Sequence, residues 1–360
     1  MISSISAVKP SSLRGKFMSA AVVILATLVL CVAQASAADP VFTSKNGITV
    51  QAQPKLNSRL VNLSITTTAV QGPQGVRVLL PEGYDQNSAR RYPVLYLLHG
   101  GGSPSAPAGA RDWTEAGGDA QAITAGQPLI TVMPSAGNGG WYTNWYNPGA
   151  AAPQNWQTFH IEQLIPWIDA NLKTIATKQG RAIAGLSMGG YGAMRYAARY
   201  PEKFAYAASF SGALNMLDPQ QQRTIFYTEF ADGKNTDGPF GVGSPLPLWF
   251  DGIWREADPV ASPNFGVSHL RGVALALYTG AGTAPNDPNA QLPTNFEAAV
   301  NPTNHRMDST LTTAGIPHYF RDYGRGTGFG VGCNGDHNYG CWNADLRDVL
   351  PRMMAVLQHP

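Results

Sequence analysis

Ser187 sits where a serine can be made into a nucleophile. It stands in Gly185-Leu186-Ser187-Met188-Gly189, directly after the apolar run Arg181-Ala182-Ile183-Ala184 and before Tyr191 to Arg199, which reads as a helix. Glycines two residues to either side permit a tight strand-to-helix turn that strains the serine and exposes its hydroxyl. The plainer role for such a serine is a helix cap; the strand before it, and Gly190 and Gly192 giving room after it, favour the turn. Attack by a serine on an ester puts charge on a tetrahedral oxygen, and two backbone N–H groups aimed at that oxygen are the usual supply of stabilisation. Met188, next after the serine, offers one. The other is expected from His99-Gly100-Gly101-Gly102, after the apolar run ending at Leu98, with Gly101 first and Gly102 close behind.

The serine proton needs a base, and in folds of this kind the chain order is Ser, then Asp or Glu, then His. Of the seven histidines, His337 is best placed, in a Gly/Asn-rich loop between the last expected strand and the last expected helix. His318 falls in an expected strand, His305 in an expected helix, and His99 in the glycine run, so these read as structural. The acid stays open at this point: Asp287, Glu297, Asp308 and Asp322 all lie between Ser187 and His337. Asp336 adjoins the base, where productive side-chain geometry is poor. Position alone favours Asp287, which follows the strand ending near Tyr278.

The elements that must hold these residues are legible as periodicities. Leu60 to Ile65 alternates apolar and polar, and Val76 to Leu80 continues it, as antiparallel strands at one side of a mixed sheet would. Pro93–Leu98, Pro128–Met133, Arg181–Ala184 and Ala205–Phe210 are apolar without alternation and are separated by helical patterns, as in a parallel sheet covered on both faces. Val273–Tyr278 and Ile316–Tyr323 add strands, Trp156–Leu172 a packed helix, and Trp342–Leu357 a C-terminal helix. The expected fold is α/β, an α/β-hydrolase fold with a mostly parallel central sheet flanked by helices. Asn215 to Asp258, rich in Gly, Pro and Trp, breaks the rhythm and is expected as an insertion over the strand C-terminal ends, where substrate is shaped.

The 360 residues are 44% hydrophobic and 13% charged with a formal net charge of +2, which suits one globular domain and provides no electrostatic footprint for nucleic acid. Lys9, Arg14 and Lys16, an apolar stretch from Met18 to about Val32, and Ala35-Ser36-Ala37 make residues 1–37 an expected signal peptide, leaving 38–360 as the catalytic domain. The apolar stretch is short for a ~30 Å hydrocarbon core, so no stable membrane span is expected in the mature chain. Leu30 stands where lipid attachment at Cys31 would need a small residue. Cys333 and Cys341 then remain as an even pair in an oxidising compartment, expected to form a disulfide around His337, the plainer reading being two free thiols.

Taken jointly, the motifs resemble the antigen 85 family of secreted mycolyltransferases and the esterases that share its core. The likeness runs through Tyr96-Leu97-Leu98, Trp141 to Tyr146, Trp156 to Phe159, Leu164 to Trp167, Ala184 to Met188, Trp254 to Pro259, Tyr278 to Thr283, and the His337 loop ending in Trp342-Asn343. It implies Ser187 as nucleophile, His337 as base, Glu297 as acid, and the amides of Gly101 and Met188 as the oxyanion hole, with Trp145 and Trp342 contacting substrate. It implies neither a metal nor an organic cofactor. Three positions depart from the mycolyltransferases: His99 replaces an aspartate used for the sugar, Gly102 replaces a sugar-contacting arginine, and Tyr339 replaces a tryptophan. Because the altered positions are the sugar-contacting ones, the expected activity is a secreted serine esterase on lipid or carbohydrate esters. Acyl transfer to trehalose or another carbohydrate stands second, and a silent matrix- or carbohydrate-binding role third.

Overall fold

The apolar runs assemble into one nine-stranded sheet in a computed structural model that describes residues 37–360 except Ala116 and residues 242–250. The expected signal peptide lies, up to its last residue, outside the described residues. The strands are β1 Ile48–Ala52, β2 Leu60–Thr67, β3 Gln74–Leu79, β4 Val94–Leu98, β5 Ile130–Pro134, β6 Arg181–Leu186, β7 Tyr206–Phe210, β8 Ala274–Thr279 and β9 Tyr319–Asp322. They lie in the order β1-β2-β3-β5-β4-β6-β7-β8-β9. The pairs β1–β2, β2–β3 and β3–β5 are antiparallel; every pair from β5 to β9 is parallel. This is the mixed sheet of an α/β-hydrolase fold, and the non-alternating runs are its parallel strands, buried on both faces.

Each central strand feeds two cores. In β4, Val94, Tyr96 and Leu98 pack on one face while Leu95 and Leu97 pack on the other, the period of two that a pleated strand imposes. The first face is covered by a helical segment running from Thr158–Leu164, wound as a π-helix, into α2 (Ile165–Asn171), and by α3 (Met188–Arg199). The second is covered by the C-terminal helix α7 (Tyr339–Val356) through Leu346, Val349, Leu350 and Met353, with Ala120 of the short α1 (Ala120–Ile123).

The segment expected as an insertion carries α4 (Pro219–Ala231) and α5 (Asp251–Ala257). Asp218 caps α4 by accepting from Gln221 N at 2.8 Å, and Pro219 occupies the first turn, where a missing N–H costs nothing. Phe296–Thr313 forms α6, capped by Asn295, which accepts from Ala298 N. His305 lies in this helix; His318 lies one residue before β9 and not inside it, because pairing with β8 begins at Tyr319. Cys333 and Cys341 are bonded, so neither is a free thiol. Among the described residues no helix is long and apolar enough to cross a membrane.

Candidate active site

The site begins at the turn from β6 into α3. Ser187 caps α3 with φ +53° and ψ −118°, a left-handed backbone that an L-residue adopts at a cost of order 1–3 kcal/mol. The turn is held by Ser187 N donating to Phe210 O at 2.8 Å and Tyr191 N donating to Ser187 O at 3.1 Å. A side chain is excluded at both flanking glycines. A Cβ at Gly185 would meet the Gly189 carbonyl carbon at 2.5 Å, and one at Gly189 would meet His99 O at 2.5 Å. The motif glycines therefore let the serine turn press against the β4 end.

That β4 end is anchored from several sides. Trp113 Nε1 donates to Leu98 O, and Tyr142 OH donates to His99 O. His99 is buried with both ring nitrogens engaged: Nδ1 donates to Gly100 O and Nε2 accepts from Ala136 N, each at 2.7 Å. Burial lowers its pKa to about 4, so it is a neutral brace for the loop. Gly102 N donates to Asn138 O at 2.9 Å and is thereby committed elsewhere, while Gly101 and Met188 line the cavity beside Ser187.

The histidine arm comes from the other end of the sheet. Glu297 lies in the first turn of α6, fully buried, and its carboxylate takes three hydrogen bonds: Oε1 from Gly280 N at 2.6 Å and Thr279 Oγ1 at 3.0 Å, Oε2 from His337 Nδ1 at 2.8 Å. His337 is wedged between rings, stacked on Phe296 at 5.9 Å and edge-on to Trp342 at 4.9 Å. Its loop is tied back by Gly282 N donating to Gly335 O, by Thr283 Oγ1 and Asn295 Nδ2 donating to Asp336, and by the Cys333–Cys341 bridge. Behind Glu297, Asp345 is buried with neither carboxyl oxygen partnered; burial and the Glu297 charge raise its pKa well above the carboxylate range, so it holds its proton.

Ser187 and His337 line one cavity of about 300 Å³. The same cavity is lined by Gly100 to Gly102 and Met188, by Trp342, Tyr339 and Phe296, by Trp141, and by Gln221, Thr224 and Thr228 of α4. Of the other acids, Asp308 meets His318 and Asp322 meets His305, each at 2.8 Å, and Asp287 is exposed, accepting from Asn289 N in its own turn. Asp287 is not brought to His337. Nor is Trp145 brought to the cavity: it is buried with its indole donating to Gly140 O, and Trp141, four residues earlier, occupies the wall expected of it. Trp342 does line the cavity, its Nε1 donating to Ser211 Oγ. Sequence reasoning did not single out Asp112 or Asn138, which belong to no motif and reach the cavity only through the fold, nor Trp141 and the α4 threonines, which lay inside the aromatic run and the expected insertion.

Residues 67–353 match the family described as "Putative esterase". Esterase Rv1288 of Mycobacterium tuberculosis is 37% identical over 286 residues, 76% of this chain and 56% of that protein. The diacylglycerol acyltransferase/mycolyltransferase Ag85C of Mycobacterium avium is 30% identical over 235 residues, 64% of this chain and 62% of the relative. The chain thus spans little more than half the length of these relatives. Among solved structures, Mycobacterium tuberculosis MPT51 superposes with a TM-score of 0.62 at 23% identity, covering 84% of this chain and all of that one, a likeness of fold.

Proposed function

The chain belongs to the esterase family, and from that premise we propose that it is a serine esterase acting on carboxylic esters through an acyl-enzyme. The observation that carries this reading is the 2.8 Å bond from His337 Nδ1 to the buried Glu297 carboxylate, in a loop whose imidazole shares a cavity with Ser187. With Nδ1 donating to Glu297, Nε2 is the nitrogen left to accept the Ser187 proton. Attack forms the Ser187 Oγ–carbonyl carbon bond, the Gly101 and Met188 amides hold the oxyanion, and collapse expels the alcohol, which takes the proton from His337. Water then repeats the sequence and frees the acid. Glu297 orients the imidazolium.

Transfer of the acyl group to a carbohydrate hydroxyl is the second reading, favoured by the similarity to Ag85C. The 215–258 segment shapes the substrate site, through Gln221, Thr224 and Thr228. The polypeptide is exported after removal of residues 1–37, in keeping with its disulfide. Hydrolysis of short-chain nitrophenyl esters, with Ser187→Ala as control, tests the serine reading: full activity in that variant overturns it. Product analysis with a long-chain acyl donor, with and without trehalose, separates the two acceptors; an acylated sugar at high trehalose moves the assignment to transfer.

A further inference from the structure

One carboxyl in the cavity is used by no step of the reaction. Asp112, in the segment between β4 and α1, lines the same cavity as Ser187 and His337. Its Oδ1 accepts from Gly109 N at 3.1 Å; among the described residues no donor bonds to Oδ2. The neighbouring Arg111 is an exposed side chain paired with Glu115, and its charge lowers the Asp112 pKa by less than burial raises it. Among the described residues no lysine or arginine lines the cavity. Partial burial raises the Asp112 pKa to about 6, so at neutral pH it is an unpaired anion.

Its place in the cavity gives it a role. Tyr339 follows His337 by two residues, lines the same wall, and meets the Trp113 ring, next to Asp112 in sequence, edge-on at 5.9 Å. Asp112 thus lines the same cavity as Tyr339 and as His337, from which the departing alcohol receives its proton. His99 is buried, neutral and spent on backbone groups, so it presents no charge to the cavity. The cavity carboxylate is Asp112, further along the same segment between β4 and α1.

Resting on the serine-esterase reading, we infer that Asp112 selects the alcohol part of the ester, its free oxygen accepting from a second hydroxyl on that alcohol and repelling one that carries a carboxylate. The favoured substrates are monoesters of polyhydric alcohols. A charged acceptor gives a stronger hydrogen bond than a neutral one, and a site built around it discriminates against an isostere that lacks the donor.

Three butyrate esters with alcohol parts of similar size test this: 2-hydroxyethyl, propyl and carboxymethyl. kcat/KM is measured for the full chain, for Asp112→Asn and for Asp112→Glu. In the native enzyme the expected order is hydroxyethyl, propyl, carboxymethyl. In Asp112→Asn the hydroxyethyl-to-propyl ratio falls about tenfold and the carboxymethyl-to-propyl ratio rises about tenfold, while Asp112→Glu keeps the native order. Ratios within twofold of native in Asp112→Asn overturn the assignment. So does a variant inactive on all three esters whose Ser187 still reacts with a fluorophosphonate, since that outcome makes Asp112 part of the chemistry and not of selection. Failure of the underlying reading looks different: Ser187→Ala would then hydrolyse all three esters as well as the native chain.

Discussion

The Glu297 carboxylate is held on both oxygens, Oε2 by His337 Nδ1 at 2.8 Å and Oε1 by Gly280 N at 2.6 Å. Glu297 is thus fixed to the end of β8 as well as to His337. Replacing it by its amide keeps the shape and removes the charge that orients the imidazole. Glu297→Gln is expected to lower kcat by roughly 10²–10⁴-fold with little change in KM. Asp287→Asn, at an exposed turn, stays within about twofold of native by the same assay. The reverse pattern would move the acid to Asp287.

The contrast between these two acids shows what was legible. Ser187, its glycines and His99–Gly102 are local signals, because a strand, a turn and a helix start are adjacent in sequence. His337 followed from chain order. The acid did not, because position after β8 favoured Asp287 and only the resemblance pointed to Glu297; their separation depends on α6 starting against the Thr279–Gly280 end of β8, a contact between distant segments. Trp145 is expected from the sequence to contact substrate, whereas Trp141 is the one lining the cavity, because both sit in an aromatic run that bends out of any simple period. Asp112 carried no signal at all: an acid in a polar loop looks the same whether it faces solvent or a substrate.

Opening the Cys333–Cys341 bridge should loosen the loop carrying His337. The closed loop is short, and the chain-entropy estimate gives roughly 2–3 kcal/mol. A Cys333→Ser/Cys341→Ser variant is expected to lose kcat several-fold and to melt earlier in calorimetry. Unchanged kcat would mean that Glu297 and the flanking rings hold His337 unaided.

Gly189→Ala tests the pressing of the serine turn on β4. The new methyl would overlap His99 O and Leu98 O, both backbone atoms with no rotamer to yield. A loss of roughly 1–3 kcal/mol in stability, read by denaturant titration, should come with a fall in kcat/KM larger than the stability loss explains. Retained kcat/KM would show that the oxyanion loop tolerates the shift.

Glu229 supplies a pH dependence. It is fully buried on α4, neither carboxyl oxygen has a partner, and burial raises its pKa to about 8. The unfolded chain releases this proton near the ordinary carboxylate value, at about 4.3, whereas the folded chain keeps it to about 8. Across that window the unfolded state binds fewer protons, so this group makes the protein less stable as pH rises and adds no further slope above its folded pKa. Glu229→Gln is permanently neutral. Its Tm relative to native should therefore climb by a few degrees between pH 5 and 8; a gap that stays flat would mean that Glu229 ionises freely in the folded protein.

The two arms of the site hang from unequal parts of the sheet. Ser187 and the glycine run extend from β6 and β4, which are hydrogen-bonded on both sides, whereas His337 follows β9, the strand at the sheet's edge. Edge elements open at lower free energy than central ones. Amide protons of β4 and β6 should exchange only through global opening, and those of β9 and the following loop much sooner. Warming would therefore part the imidazole from the serine before the molecule as a whole melts, and the small covalent ring around His337 sits where it narrows that interval.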